Sequence, residues 1–281
     1  MTSGIDSDPA ARPSGSLNTG EALYLYCLAR PGLGGFEGAG VDGEHPVNCL
    51  PLRNITAVCS VVRVDAFCGA AAEARMRDLQ WFGPRACRHE EVIEQVMRVS
   101  PLVPARFATL FSSPAALLAW LETHYATICE AIQHFADHQE WAVKATIDRR
   151  KAEEPLIAAA LARRSPSASP GMRYLEERRI RAGIGQEVSA WLSRLREQLR
   201  GELCEYAVDF RERAIASKVS EDEGTPLFNW AFMVASGRID EFHTCIERLG
   251  VTHAEQGLVL DCSGPWPPYS FCPALDSEGI V

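Results

Sequence analysis

Ser263-Gly264-Pro265-Trp266-Pro267-Pro268-Tyr269-Ser270-Phe271 is the stretch of this 281-residue chain that constrains its fold most. Each proline lacks an N–H and fixes φ, so the stretch fits neither a helix nor a central strand. Residues before proline are extended, which predicts a stiff ribbon with three aromatic rings. The apolar run from Gly257 to Cys262 indicates a buried strand just before it. We therefore predict a last strand that leaves its sheet and lays this segment, the aromatic strap, over that sheet.

The aromatic strap has two interpretations. It is either a structural lid that closes a hydrophobic core or a preorganised docking surface, because Trp and Tyr anchor interfaces efficiently. The sequence does not separate the two. On the second interpretation the candidate partner-binding residues are Trp266, Tyr269 and Phe271.

The elements before the strap follow the order strand, helix, strand, strand, helix, strand, which is that of a ferredoxin-like domain. They are a strand at Trp141–Ile147, helices at Ala152–Arg164 and Met172–Tyr206, an edge strand at Phe210–Ser217, a strand at Phe228–Val234, a helix at Gly237–Leu249 that Gly250 ends, and the last strand. We therefore predict a C-terminal ferredoxin-like domain over residues 140–281, elaborated with a long helix and ending in the strap.

The longest predicted helix carries an apolar stripe with a repeat of three to four residues. The stripe consists of Ile184, Val188, Trp191, Leu195, Leu199, Leu203 and Tyr206. Such a stripe packs on its own domain or on another chain. Gly183 and Gly185 weaken the first third of the helix. A flexible break is predicted before it, from Ser165 to Gly171.

The N-terminal half predicts a separate α+β domain over residues 21–139, after a disordered tail over residues 1–20. Its predicted strands are Ala22–Ala29, Val47–Leu52 and Ile55–Val64, and its helices run from Pro84 to Val99 and from Ser113 to Phe135. Ser113 is suited to cap the second helix, with Pro114 at its first position. The fold class is thus α+β with two domains.

An extended segment from Pro101 to Phe111 carries one arginine among apolar residues. Such an arginine either pairs with a carboxylate at a domain seam or is reserved for a partner. We predict that Arg106 and Phe107 are domain-seam residues.

Composition excludes several classes of function. The net charge of −9 argues against nucleic acid or an anionic membrane as a partner. No segment approaches about 18 uninterrupted apolar residues, so no membrane span is predicted. The ten cysteines contain no C-x-x-C pair and are interpreted as buried free thiols of a reducing compartment rather than disulfides. The seven histidines lack zinc-site spacing, so no metal is predicted.

Catalytic motifs are missing from the sequence. It has no P-loop, no Gly-x-Gly-x-x-Gly behind a strand and no Gly-x-Ser-x-Gly. The histidines are scattered and predicted to lie mostly on polar helix faces or in loops. His89-Glu90-Glu91 lacks the second histidine of a zinc-protease helix, and Cys87 beside two arginines is weak support for a nucleophile. We therefore predict no catalytic residue, no cofactor and no enzymatic activity.

Three motifs together resemble the gas vesicle protein F/L family. They are the strand followed by Gly264-Pro-Trp-Pro-Pro-Tyr-Ser-Phe271, a helix with His89-Glu90 near its start, and Val103-Pro104-x-Arg106-Phe107-x-Thr109-x-Phe111. The resemblance implies an intracellular accessory or minor wall protein of gas vesicles that supports their assembly. It also implies binding to the small hydrophobic shell subunit, with the C-terminal domain in contact with the shell, and other gas vesicle accessory proteins as further partners.

Two hypotheses from other classes remain open. Ferredoxin-like domains host many ligands, so a small-molecule sensor or enzyme is the alternative function. A pocket with convergent polar groups would favour it, and a filled apolar interior would count against it. The third hypothesis is a homo-oligomeric scaffold joined through the apolar stripe.

Overall fold

The computed structural model describes residues 17–163, 170–215 and 224–275. These residues form two compact units: the first combines the chain up to Asp137 with the segment from Pro267 onward, and the second is His138–Trp266. Each unit contains helices and one antiparallel sheet, so the predicted mixture of helix and antiparallel sheet is confirmed. Residues 1–16 of the predicted tail lie outside the described residues. Residues 165–169 of the predicted flexible break also lie outside them.

The first unit is built on a five-stranded antiparallel sheet. Its strands are β1 (Glu21–Ala29), β2 (Val47–Leu52), β3 (Ile55–Arg63), β4 (Leu102–Pro104) and β5 (Leu110–Phe111). β1 lies in the middle, with β3 and then β2 on one side and both β4 and β5 on the other. β1 is buried along nearly its whole length, as expected of a continuous aliphatic and aromatic run between two layers.

β4 and β5 are separated by a turn, so the prediction of one continuous extended segment from Pro101 to Phe111 was wrong. The chain leaves the edge of β1 after the Ala105 N–H donates to the Tyr26 carbonyl, and it returns where the Leu25 N–H donates to Thr109. Ala108 lies between these points with φ of 63°. A left-handed conformation is unfavourable for alanine, and a sequence pattern alone does not reveal it.

Helices cover both faces of this sheet. They are α1 (Val64–Phe67), α2 (Ala70–Met76), α3 (Leu79–Met97), α4 (Pro114–Thr123) and α5 (Tyr125–Ala136). α3 packs its buried stripe of Val92, Ile93 and Val96 into the core that contains Tyr24 and Tyr26 of β1. On the opposite face α4 contacts β5 and α5 contacts β4. The helices on the two faces make the unit a three-layer sandwich with β1 at its centre.

The predicted single helix after Ser113 is two helices. Its start is confirmed, since the Ser113 side chain accepts a hydrogen bond from the Ala116 N–H and Pro114 opens the helix. The helix breaks at His124, whose φ of −101° and ψ of 8° are not helical. The His124 imidazole hydrogen-bonds to the Trp120 carbonyl at 2.8 Å and so satisfies the last turn of α4.

The second unit contains a four-stranded antiparallel sheet in the order β7-β8-β6-β9. Its elements are β6 (His138–Ile147), α6 (Arg149–Ala162), α7 (Pro170–Gly183), α8 (Gly185–Cys204), β7 (Ala207–Glu212), β8 (Thr225–Ala235), α9 (Ile239–His253) and β9 (Leu258–Trp266). One face of the sheet packs against α8 and α9 around the fully buried Trp230 and Phe232. The apolar stripe of α8 packs within its own unit, because Leu195, Leu199 and Leu203 belong to this core.

Two predicted helix boundaries of the second unit were wrong. The helix predicted over Met172–Tyr206 is divided at Ile184, between Gly183 and Gly185, where the low helix propensity of glycine favours a break. Gly250 does not end α9, which continues to His253. The chain turns instead at Gly257, whose left-handed φ of 84° is suited to glycine.

The aromatic strap differs from its prediction in two respects. Its first residues, to Trp266, continue β9 as an edge strand, and Tyr269–Phe271 form a single 3₁₀ turn instead of an extended ribbon. Tyr269 packs against the core of the first unit, whereas the prediction placed it over the sheet that the strap leaves. Prolines 267 and 268 permit this change of direction but do not specify which core receives the tyrosine.

A buried ion pair lies within the second unit. Glu140 of β6 is 1% exposed and accepts a hydrogen bond from the Arg213 guanidinium, just after β7. β8 separates β6 from β7, so the pair spans three adjacent strands.

Among the described residues, every helix is too short or too polar to span a bilayer.

Candidate functional site

A buried histidine is the centre of the most polar cluster in the first unit. His89 is 2% exposed and lies on the same stripe of α3 as Val92, Ile93 and Val96. The prediction that the histidines lie mostly on polar faces or in loops was therefore wrong for His89. Its spacing of three, four and seven residues from the buried aliphatic residues is the signal that could have revealed it.

A chain of hydrogen bonds passes through His89. The Ala108 N–H donates to the Tyr24 hydroxyl at 3.1 Å, and that hydroxyl lies 2.9 Å from His89 Nδ1. On the other side His89 Nε2 lies 3.2 Å from the Tyr269 hydroxyl, which donates to Glu90 Oε1 at 2.9 Å. Because the tyrosine proton goes to Glu90, Nε2 must donate, and Nδ1 of a neutral ring then accepts from Tyr24.

Burial keeps this histidine neutral. Desolvation lowers the pKa of His89 to about 4, although the Ala105 carbonyl beside the ring favours the charged form. Burial raises the pKa of the Tyr24 hydroxyl, and burial with the nearby Glu90 charge raises the pKa of Tyr269. Burial also raises the pKa of the Glu90 carboxyl. At neutral pH the cluster is thus a fixed set of donors and acceptors.

Aromatic rings enclose the histidine. The His89 ring stacks on Tyr26 at a centroid distance of 5.7 Å and meets Phe107 edge to face at 5.8 Å. Such packing leaves a substrate no access to the imidazole. We conclude that the cluster holds Tyr269, and with it the segment from Pro267 to Leu275, on the first unit.

A second buried tyrosine has a separate network that depends on a glycine. The Tyr26 hydroxyl bonds Ser60 Oγ at 2.8 Å and accepts from the Val41 N–H at 2.6 Å. A Cβ added at Gly40 would lie 2.6 Å from the Tyr26 hydroxyl and 2.8 Å from Ser60 Oγ. Neither atom can retreat without losing its hydrogen bond.

Replacing Gly40 with alanine should therefore lower the free energy of unfolding by about 1–3 kcal/mol, the usual cost of overpacking. Urea denaturation followed by circular dichroism measures the change. Gly34→Ala is the matched control, because nothing lies within 4 Å of a Cβ at that position. Equal stability of the two variants would contradict a steric requirement for Gly40.

The three predicted partner-binding residues do not share one environment. Trp266 ends β9 in the second unit, is 44% exposed, and donates its indole N–H to Ser263 Oγ at 3.1 Å. Tyr269 and Phe271 belong to the first unit and are half-buried. Trp266 is therefore the member of the set that offers a large ring to solvent.

The two predicted domain-seam residues lie in the turn between β4 and β5. Phe107 packs among the aromatic rings of Tyr24, Phe67 and Phe82 in the first unit. Arg106 is exposed. A role at a domain seam stays a prediction for both residues.

A groove of about 510 Å³ opens in the first unit beside this turn. Its floor is formed by β1, β4 and Trp120 of α4, and its wall by the segment from Tyr269 to Leu275. The alternative function was assigned to the predicted ferredoxin-like domain, whereas the residues that line this groove all belong to the first unit. Arg106 lines it.

One cluster of potential metal ligands is present in the described part of the chain. Asp42, Glu44 and His45 bring their ligand atoms within 4.8 Å of one another. Asp42 already accepts from the His45 ring at 2.6 Å and from the Glu44 and His45 N–H groups. Desolvation alone would raise the pKa of Asp42, but these bonds together hold it below its usual value. They also account for the arrangement as a loop turn.

All ten cysteines are free thiols. Cys27, Cys59 and Cys245 are buried, and burial raises the pKa of Cys59 to about 12. Cys87 is exposed on α3. A raised pKa disfavours the thiolate, so the buried cysteines serve as small apolar core residues.

Comparison with known proteins relates nearly the whole chain to one family. The sequence profile described as "Gas vesicle synthesis protein GvpL/GvpF" matches residues 22–273. Gas vesicle protein L of a Streptomyces species is 28% identical over 93% of this chain and 97% of its own. Gas vesicle protein F of the same strain is 28% identical over 89% and 99%.

Solved structures agree in fold. The crystal structure of gas vesicle protein GvpF from Anabaena superposes with a TM-score of 0.64, at 19% identity, over 90% of this chain and 97% of that one. The protein of the same name from Microcystis aeruginosa gives a TM-score of 0.60 at 17% identity, over 90% and 99%. At these identities the likeness concerns the fold alone.

Proposed function

Because the chain belongs to the gas vesicle GvpL/GvpF family, we propose that it is an accessory or minor structural protein of gas vesicles that binds the hydrophobic shell subunit. The observation that carries the proposal is the match of the family profile over residues 22–273. On this proposal the protein supports vesicle assembly without catalysis, resides with the vesicles inside the cell, and meets other gas vesicle accessory proteins as further partners.

We also infer that the chain has two domains, residues 21–139 and 140–281, and that the second is ferredoxin-like. Support comes from the element order after residue 138, strand, helices, strand, strand, helix, strand. The sheet order β7-β8-β6-β9 places the first and third of these strands in the centre, as the ferredoxin-like topology does. The segment 267–275 is the exception, since it packs with the first unit.

Trp266 is our proposed contact with the shell subunit. An exposed indole at the end of an edge strand offers a rigid apolar surface to an apolar partner. Tyr269 has a different part in this proposal: its hydroxyl is engaged by Glu90 and His89, so it positions the segment that follows Trp266.

Capture of the shell subunit by the co-expressed full chain tests both parts of the proposal. We expect capture by the unmodified chain and about tenfold less by Trp266→Ala, because tryptophans that become buried in an interface are frequent hot spots. Val251→Ala is the matched control, since Val251 is another exposed apolar residue, 79% exposed on α9, and lies outside the proposed contact.

The outcomes separate the claims. Full capture by a folded Trp266→Ala variant would remove this residue from the contact while leaving shell binding intact. Failure of the unmodified chain to capture the subunit would refute shell binding itself and direct the search to other gas vesicle proteins.

A further inference from the structure

The groove beside the β4–β5 turn has the size and shape of a ligand site. Its volume of about 510 Å³ lies within the range of about 300–1,000 Å³ usual for small-molecule sites. The floor comes from the sheet, and the wall is the segment from Tyr269 to Leu275, which the hydrogen bonds of Tyr269 fix in place. The wall is therefore anchored at its first residue, Tyr269, and the floor belongs to the sheet.

The described residues of the lining combine an apolar floor with one charged side chain. Leu25, Leu28, Val103 and Trp120 form the floor. Arg106 is the one charged residue among the described residues of the lining. The neighbouring Thr109 hydroxyl donates to the Arg106 carbonyl at 2.7 Å and is thus already engaged. Ser270 also lines the groove, but the Arg106 guanidinium supplies the charge there, and its fork of donors matches a carboxylate.

A peptide backbone would find few partners in this groove. Pro104 and Pro273 line it and have no N–H to donate. A bound peptide would bring N–H and C=O groups that require partners, whereas an acyl chain brings none until its head group.

We propose that this groove binds a fatty carboxylate, with the acyl chain on the apolar floor and the carboxylate on Arg106. This goes beyond the proposed role in gas vesicles and does not depend on shell binding. It assigns Arg106 to a ligand instead of a domain seam.

Isothermal titration calorimetry of the full chain with sodium decanoate tests the proposal, with 1-decanol as the neutral probe. We expect saturable 1:1 binding of decanoate and weaker binding of decanol. Arg106→Gln should weaken decanoate binding about tenfold, as expected for loss of a charge-assisted hydrogen bond at a partly open site. Arg98→Gln, which removes an exposed arginine of the same unit away from the groove, should leave it unchanged.

A second variant tests the floor independently. Ala105 is half-buried and lines the groove, so Ala105→Trp should fill it and abolish binding of both probes. Circular dichroism confirms that each variant is folded. Lack of saturable binding by the unmodified chain would overturn the proposal, and so would equal binding by the Arg106→Gln, Arg98→Gln and unmodified proteins.

Discussion

The Arg213→Ala variant should lose about 3 kcal/mol of its free energy of unfolding, because it removes the cation that pairs with a fully buried carboxylate. Glu140 is 1% exposed, while the Arg213 side chain is 28% exposed. Removing one partner of a buried pair costs about 3–5 kcal/mol, and the partial exposure of Arg213 places the expected loss at the lower end. Urea denaturation followed by circular dichroism at neutral pH measures the change.

An exposed ion pair between α8 and β7 of the same unit is the control for this prediction. Arg196 pairs with Glu212 at 2.6 Å, and both side chains are more than a third exposed. Arg196→Ala should therefore cost less than about 1 kcal/mol. A double variant, Glu140→Gln with Arg213→Ala, should recover part of the loss, since it removes the buried charge together with its cation. If Arg213→Ala is no more destabilising than Arg196→Ala, burial does not strengthen the pair.

Acidification should destabilise the protein through His89. Its pKa falls from 6.5 to about 4 on folding, so the unfolded chain binds more protons than the folded chain between these values. Stability from this residue is complete above pH 6.5 and is lost as the pH falls toward 4. The expected loss is about 3 kcal/mol, since one pKa unit corresponds to about 1.4 kcal/mol.

The measurement must separate the titration of His89 from that of the groups around its imidazole. Tyr24 and Tyr269 stay protonated in this range, and the Ala105 carbonyl is uncharged. Glu90 has the opposite effect, because its raised pKa contributes stability at low pH. Unfolding free energies at pH 7 and pH 5 should thus be compared in a Glu90→Gln background.

His89→Phe in the same background is the matched variant. Its absolute stability falls because the hydrogen bonds to Tyr24 and Tyr269 are lost, but its slope between pH 7 and pH 5 should flatten. An unchanged slope would assign the pH dependence to other groups.

Local patterns in the sequence specify most of the secondary structure. The alternating apolar residues of Phe228–Val234 and the continuous apolar run at Ala22–Ala29 predict strands that the structure contains. A serine before a proline at residue 113 predicts the start of α4. These signals depend on neighbours within a few residues, which a single sequence contains.

The contacts that define the candidate sites depend on distant residues. His89 meets Tyr269 across 180 positions, and Glu140 meets Arg213 across 73. Nothing near either residue specifies the register that joins them. The stripe of α3 could have shown that His89 is buried, but not which tyrosines it bonds. The left-handed Ala108, in the turn beside the groove, has no sequence signal at all.

The hydrogen bonds of Tyr269 to His89 and Glu90 also determine when the first unit can complete its folding during synthesis. A ribosome produces α3 and the first sheet long before residue 269, and it must translate all of His138–Trp266 in between. Until then the nascent first unit exposes the surface that Tyr269 later covers, a period in which apolar surface is open to chaperones or to aggregation. The second unit, by contrast, consists of one continuous stretch of chain and can complete its folding as soon as β9 has left the ribosome.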